Sequence, residues 1–538
     1  MSYLFVPEVL MYAFRLLVLV WGVTMMMTTA MPAAEKDMVA DTIVSRRQMQ
    51  SIVEFLSLDH LAGRAPGTTG AEVAECYIAS LLKLWDIEPY GEDYFQEFSL
   101  TGLTNTSLDI RLGGHPLSFP DEAAGGFSDS RAAVDVKAPL VFAGYGIVAE
   151  DWQWNDYPPD SVRDKIVLVR VNDPHPEDPA KFEGPAMTYY GRWTYKIEEA
   201  ARQGAAGILL IHTTESAGYG WHVVHNSWTG ERLYLSESLQ STLSFRGWIR
   251  EETLRRRLLD AGIHLDDLYR RSVTPGFTPI DLPLTMEISG QQRAREFKTR
   301  NVVGFIPAAR STERNNAIAL SAHIDHLGVN PTLVGDQIFN GAVDNAAAVA
   351  AMMLSAKILK ENQSSLRYPV IVLACEAEEA GLLGSQYFVD NLEPGAVMAN
   401  INFESTPVGE AARDIIAVGA KYSSLEDCLL PVLQEKQLAY SHFSMVQHGW
   451  FYRSDQFSFA REGIPGIWLS AGEDYPSGKN WLRDFFEGAY HTPDDEFDPT
   501  WDMGATIQTV QITIALIDYL NRVQPTLHWK DRLPFPRK

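Results

Sequence analysis

Along the chain, apolar positions follow two different periods. Between residues 45 and 84 they recur at helical spacing: Met49, Ile52, Val53, Phe55 and Leu56 first, then Tyr77, Ile78, Leu81 and Leu82. Leu61-Ala62-Gly63-Arg64-Ala65-Pro66-Gly67-Thr68-Thr69-Gly70 lies between them, a Gly/Pro turn that must end one helix before the next begins. Residues 94–98 read as a short strand. Further on, 139–146 and 165–170 are apolar runs bounded by turns, the pattern of buried strands. Residues 196–202 predict a short helix with Ile197, Ala200 and Ala201 on one face, and Gly204-Ala205-Ala206-Gly207 leads into another strand. From residue 317 strand-like runs at 317–321, 369–374 and 415–418 alternate with helical stretches such as the alanine-rich 346–359. That alternation predicts an α/β fold, a mixed, mostly parallel sheet flanked by helices.

Chemistry-bearing residues collect where these runs end. His323, in Ala322-His323-Ile324-Asp325-His326, follows one strand, Glu378-Glu379 follow a second, and Glu404 follows Ala399-Asn400-Ile401. Asp344-Asn345 immediately precede the alanine-rich helix, for which they are also candidate N-caps. In an open α/β sheet the carboxyl ends of the strands are where ligands bind. Imidazole and carboxylate without thiolate form a donor set for zinc, cobalt or manganese in a catalytic role. His491, in Tyr490-His491-Thr492-Pro493, supplies the second histidine that closes the set. Each residue alone has a plainer reading, an adjacent glutamate pair being usually a solvated one; the joint occurrence carries the argument.

Composition changes this picture in three respects. A formal charge of −24 argues against nucleic acid and against an anionic membrane surface as partners. Cys76, Cys375 and Cys428 are too scattered for a disulfide framework or a thiolate zinc module. Residues 1–34 read as an export signal, with Arg15 ahead of Leu16-Leu17-Val18-Leu19-Val20-Trp21 and small residues at Thr28-Thr29-Ala30 and Ala33-Ala34. The expected product is an exported protein, periplasmic or secreted, with no membrane span after cleavage. His212, His222 and His225 are scattered and read as structural or surface histidines.

Residues 131–290 resemble a protease-associated domain, a β-rich unit whose short helix and Gly-Ala-x-Gly strand are matched at 196–211. The set His323, Asp344, Glu378-Glu379, Glu404 and His491, in that order, resembles peptidase family M28. That resemblance implies a catalytic domain over 41–130 and 291–525, wrapped around the insert. It implies two zinc ions, with Asp344 bridging both, His323 and Glu404 completing one, and Glu379 and His491 the other. It further implies Glu378 as general base, Asp325 as the carboxylate that orients His323, Tyr490 as a donor to the oxyanion, and Asp455 as structural support. The bridging role fits a carboxylate, which has two oxygens to share between ions about 4 Å apart. This chain departs from the family at Asn402-Phe403-Glu404-Ser405, where aspartate is usual and glutamate adds a methylene.

The implied activity is that of an exopeptidase on peptide substrates, an aminopeptidase first. A carboxypeptidase for acidic C-termini is the alternative, and it wants arginines such as Arg453 or Arg483 at the pocket. A receptor-like relative without activity would have lost ligands, and a glutaminyl-cyclase-like transferase would lack the insert. No GxSxG elbow and no HExxH helix occurs, which disfavours a serine hydrolase and a thermolysin-like site. Oligomeric state is not legible.

Overall fold

The computed structural model describes residues 43–536 except 176, 179, 240–242, 275, 310–313 and 531; the expected export signal lies outside them. The first two helices form as the periodicity requires, α1 at Arg46–Leu56 and α2 at Thr69–Leu84. Ser45 and Thr68 cap them, each hydroxyl accepting a backbone N–H three residues on. The principal strands are β1 (Phe95–Leu112), β2 (Ala123–Phe127), β3 (Ala133–Phe142), β4 (Ile166–Arg170), β5 (Gly207–His212), β6 (Phe245–Arg250) and β7 (Ile280–Ile306), then β8 (Ala317–His323), β9 (Val370–Cys375), β10 (Val397–Asn402), β11 (Asp414–Val418), β12 (Ala439–Ser441) and β13 (Gly466–Ala471). Helices α3 (Trp193–Arg202), α4 (Ala348–Glu361) and α5 (Gly504–Val523) pack on them.

One continuous sheet runs β12-β11-β13-β10-β8-β9-β7-β3-β4-β5-β6-β2. Strand β8 is parallel to β9 and to β10, and β10 is parallel to β13. Strands β8, β9 and β13 are buried along their whole length, as parallel strands covered on both faces must be. One face carries Ile318, Leu320, Val370, Val372, Ile401 and Leu469 against α1, α2, α4 and α5. The other carries Ala319, Ile371 and Leu373 against Phe388 and Phe459. Each fully buried Leu or Ile contributes about 1.5–3 kcal/mol, so this sandwich is what fixes the strand ends in space. Residues Ala342–Glu361, which include α4, are long and apolar enough to cross a membrane, but 94% of that window is packed inside the fold, as in a core helix.

Two boundaries differ from the sequence expectation. The short strand at 94–98 is the start of β1, which extends to Leu112. The division expected at 290/291 falls within β7, a single strand from Ile280 to Ile306 that pairs with β3 at one end and β9 at the other. Its middle, Gln291-Gln292-Arg293-Ala294-Arg295-Glu296, is mostly exposed ribbon paired with β1, so no apolar run marks it as strand. The segment between β2 and β6 folds around its own cores, with β3–β6 in parallel order.

Candidate metal centre

Because β8, β9 and β10 run parallel, their carboxyl ends deliver His323, the Glu378–Glu379 turn and Glu404 to one edge of the sheet. Two further segments close over that edge: the Gly341–Asn345 turn ahead of α4, and the loop carrying His491.

The arrangement centres on Asp344. His323 Nε2 lies 3.2 Å from Asp344 Oδ1, and His491 Nε2 lies 3.2 Å from Asp344 Oδ2. One carboxylate therefore presents a different oxygen to each imidazole. Around His323 Nε2 stand Glu404 Oε1 at 3.3 Å and Glu378 Oε2 at 4.0 Å. Around His491 Nε2 stands Glu379 Oε2 at 3.3 Å. Glu379 Oε1 also meets His326 Nδ1 at 2.8 Å. Donor atoms of His323, Glu378 and Glu404, and of His326, Asp344 and Glu379, each fall within 4.8 Å of one another. His491 Nε2 is buried and makes no hydrogen bond despite its two carboxylate neighbours. An imidazole nitrogen so placed, next to oxygens it does not bond, is aimed at a common point between donors. The residues present thus fit a pair of divalent ions, with Asp344 shared.

All the sequence-named ligands, His323, Asp344, Glu379, Glu404 and His491, are brought together, with Glu378 and Tyr490 beside them. The extra methylene of Glu404 is accommodated: Ser454 Oγ donates to its Oε2 at 2.6 Å, Ser405 Oγ to its Oε1 at 3.1 Å, and Trp468 Nε1 to its carbonyl at 2.8 Å. Asp325 behaves differently from expectation. Its carboxylate accepts the backbone N–H groups of Glu378 and Glu379, at 3.0 and 3.3 Å. His323 Nδ1 is 3.7 Å from that carboxylate but 3.1 Å from the Asp325 carbonyl, so the main chain orients the ring. Asn345 does not cap α4; its side chain bridges the Phe403 carbonyl and the Ser405 N–H. Asp455 is fully buried, and burial pushes its carboxyl up to about 6. Arg483 is spent on Glu473 at 3.6 Å, whereas Arg453 lies over Trp450 beside Tyr490.

Three residues that sequence reading did not single out support the cluster. Asp495, in the His491 loop, accepts the N–H groups of Val343 and Asp344 at 2.8 and 3.0 Å. His326 holds Glu379. Arg64, 1% exposed, donates to the carbonyls of Ile324 at 2.8 Å, Asn340 at 2.6 Å and Gly341 at 3.1 Å, and to that of Leu56. It ties the His323 segment to the Asp344 turn. The signal for it was a cation inside a Gly/Pro turn, which alone reads as surface. Gly341 has φ 60°, and a Cβ there would meet the Asp344 carbonyl at 2.3 Å, so the turn requires glycine.

Electrostatics divides the carboxyls. Burial opposes the Asp344 charge, but the imidazoles of His323 and His491, each 3.2 Å away, hold its carboxyl well below the usual range. Burial likewise opposes the charge of Glu379, yet His491 draws it down to about 2. Glu378 goes the other way: burial above all, with repulsion from Glu404 and Glu379, pushes it well above the usual range despite attraction by His323. Burial, then the charges of Asp344 and Glu379, pushes the Tyr490 phenol far up, so it remains a proton donor. The Tyr490 ring stacks on His491 at 3.9 Å.

Residues 301–516 match the family model for peptidase family M28. The chain is 26% identical over 204 residues to the aminopeptidase YwaD of Bacillus subtilis (strain 168), covering 37% of this chain and 40% of that protein, so the likeness spans less than half the relative. Among solved structures, an aminopeptidase from Aneurinibacillus sp. strain AM-1 is similar over 91% of this chain and 96% of its own, with a TM-score of 0.52 and 17% identity, a likeness of fold. A zinc aminopeptidase from Bacillus subtilis, BSAP, aligns over 88% of this chain and 94% of its own with a TM-score of 0.45 and 18% identity.

Proposed function

Residues 301–516 of this chain form a peptidase family M28 domain, and from that premise we propose that the protein is a zinc-dependent aminopeptidase that removes N-terminal residues from peptides. The observation that carries the reading is the Asp344 carboxylate, whose two oxygens face His323 and His491 at 3.2 Å each. His323 and Glu404 would hold one ion, Glu379 and His491 the other, and Asp344 both. The named activity of the YwaD relative supports the aminopeptidase assignment.

When bound, the ions polarise the scissile carbonyl and lower the pKa of attacking water toward about 7. The chain's own groups do the rest. Glu378, 4.0 Å from His323 Nε2, accepts the proton of that water and passes it to the leaving amine. Tyr490 donates its O–H to the oxyanion of the tetrahedral intermediate. The carboxylates of Glu378 and Glu404, 4.0 and 3.3 Å from His323 Nε2, are the groups that would hold a free α-amine. His491, at 33% exposure, stands on the side from which a peptide arrives. The apolar run at 16–23 supports export to the periplasm or medium, and the Gly-Ala-x-Gly strand at 204–211 supports a protease-associated identity for the insert.

The test is metal content of purified protein by mass spectrometry, with hydrolysis of aminoacyl-nitroanilides before and after chelation. Close to two equivalents of zinc are expected, with activity lost to chelator, restored by zinc, and absent in Glu378→Gln. A fully metal-loaded protein that hydrolyses no aminoacyl substrate would overturn the assignment.

A further inference from the structure

The seam between the insert and the catalytic unit brings together two arginines, Arg192 buried and Arg453 half-buried. Arg192 precedes α3 of the insert and is 7% exposed; Arg453 belongs to the loop after the short turn Trp450–Tyr452 of the catalytic unit. The two segments are stitched together: the Met187 N–H donates to the Val446 carbonyl at 3.3 Å, and a Cβ on Gly449 would lie 3.4 Å from Arg192 Cδ. Arg453 Nε donates to the His448 carbonyl at 2.8 Å, while its Nη2 and Arg192 Nε are buried with no hydrogen-bond partner. Among the described residues no carboxylate pairs with either guanidinium. Arg453 instead lies over the rings of Trp450 at 5.3 Å and Tyr219 at 5.8 Å. Such stacking leaves the in-plane N–H groups free, which is the geometry a guanidinium uses to grip a carboxylate.

Arg192 is buried and Arg453 half-buried beside it with no carboxylate partner, so an anion arriving from outside would supply the missing counter-charge. The local field is felt by neighbours: burial, then Arg453, pushes Arg192 down to about 9, and burial with Arg453 and Arg192 pushes the His448 imidazole down to about 4. The pair is also close to the metal ligands. His491 stacks on Tyr490 at 3.9 Å, Tyr490 meets Trp450 at 6.0 Å, and Trp450 lies under Arg453. That path is at most ~15 Å, the reach of about two to four extended residues.

We propose that Arg192 and Arg453 form a carboxylate-binding subsite that receives the acidic end of a short peptide whose N-terminus sits at the metal ligands. It rests on the aminopeptidase reading and adds a substrate class: di- to tetrapeptides with a free carboxylate, from the C-terminus or from an acidic side chain. A peptide of the right length is then measured between two fixed points, its amine at the carboxylates and its carboxylate at the arginines.

The experiment compares kcat/KM for leucyl-glycine, leucyl-glycyl-glycine and leucyl-triglycine with their C-terminal amides, in the zinc-loaded full chain. Wild type is expected to prefer the acid by at least about tenfold at one length, the equivalent of one charge-assisted contact. In Arg453→Gln and Arg192→Gln the acid-to-amide ratio falls toward one, and Arg453→Lys retains part of it; thermal melting and zinc content identify any variant that merely misfolds. Leucyl-aspartyl-amide, which carries only a side-chain carboxylate, separates the sources: high activity in wild type with loss in Arg453→Gln assigns the side chain, and low activity in wild type assigns the terminus. A ratio near one at every length in wild type, or ratios unchanged in both Gln variants, overturns the subsite. If the zinc-loaded protein hydrolyses no peptide, the aminopeptidase reading fails separately, and calorimetric binding of the same acid and amide pairs decides the subsite by the same criterion.

Discussion

Replacing Arg64 by methionine tests whether the cluster is held by the segment outside the M28 match. Arg64 makes four hydrogen bonds to main-chain carbonyls, each charge-assisted and worth about 1.5–2 kcal/mol, or about 6–8 kcal/mol in total. Against this stands the cost of burying the cation, which pushes its pKa from 12.5 down to about 10, equivalent to about 3 kcal/mol. Methionine fills similar space, relieves that cost and leaves the carbonyls unpaired. The net loss is therefore about 3–5 kcal/mol, the range seen when one partner of a buried charged network is removed. The charges of Asp495, Asp325 and Asp344 also lose a nearby cation, so the Asp344 turn loosens relative to His323. Urea unfolding of the zinc-loaded protein should show the stability loss, and chelator competition should show zinc affinity falling at least tenfold. Should methionine prevent folding, Arg64→Lys, which keeps the charge but only a compact donor, is expected to lose about 2 kcal/mol. A methionine variant within about 1 kcal/mol of wild type, with unchanged zinc affinity, would refute the reasoning.

Other expectations follow from the same contacts. Asp495→Ala removes the acceptor for the Val343 and Asp344 amides and should weaken zinc binding by about 10–100-fold, measured by chelator competition, while a stability change without an affinity change would contradict it. His326→Ala takes away the 2.8 Å partner of Glu379 and should lower zinc affinity in the same titration. Glu404→Asp shortens the ligand away from Ser454, so it should bind zinc more weakly; equal affinity would mean the Ser454 contact is idle. For pH, the folded-state pKa of His448 is pushed down from 6.5 to about 4, so between those values the unfolded chain takes up a proton that the folded chain does not. Stability should fall as pH drops from 6.5 to 4 and level off below. Because the imidazole is partly open to solvent, about 1 kcal/mol of that fall should vanish in His448→Gln, read by thermal melting across that pH range.

Three of the candidate ligands, His323, Glu379 and Glu404, were legible because each follows an apolar run, and a period change marks a strand end without any tertiary information. His323, Glu378-Glu379 and Glu404 follow β8, β9 and β10 in that manner. Parallel order followed from the alternation of strand-like and helical runs, and the full burial of Val370–Cys375, which has no polar face to give to solvent, agrees with it. What the linear pattern left out was long range. The polar middle of β7 is strand because β1 pairs with it, not because of its own hydrophobicity. Arg64 reads as a surface cation in a turn until Leu56, Ile324, Asn340 and Gly341 are seen converging on it from across the chain. The Asp325 carboxylate, two residues from His323, turns to the Glu378 and Glu379 amides because the parallel strand β9 ends beside it. Arg192 and Arg453, far apart in sequence, come into one neighbourhood only because the segment before α3 packs against the Val446–Arg453 segment. Side-chain chemistry and local periodicity determined which residues can bind metal and which segments become strand; the packing of parallel strands and of the loops over their ends decided which of them face one another, since distance across a sheet is set by pairing and not by separation along the chain.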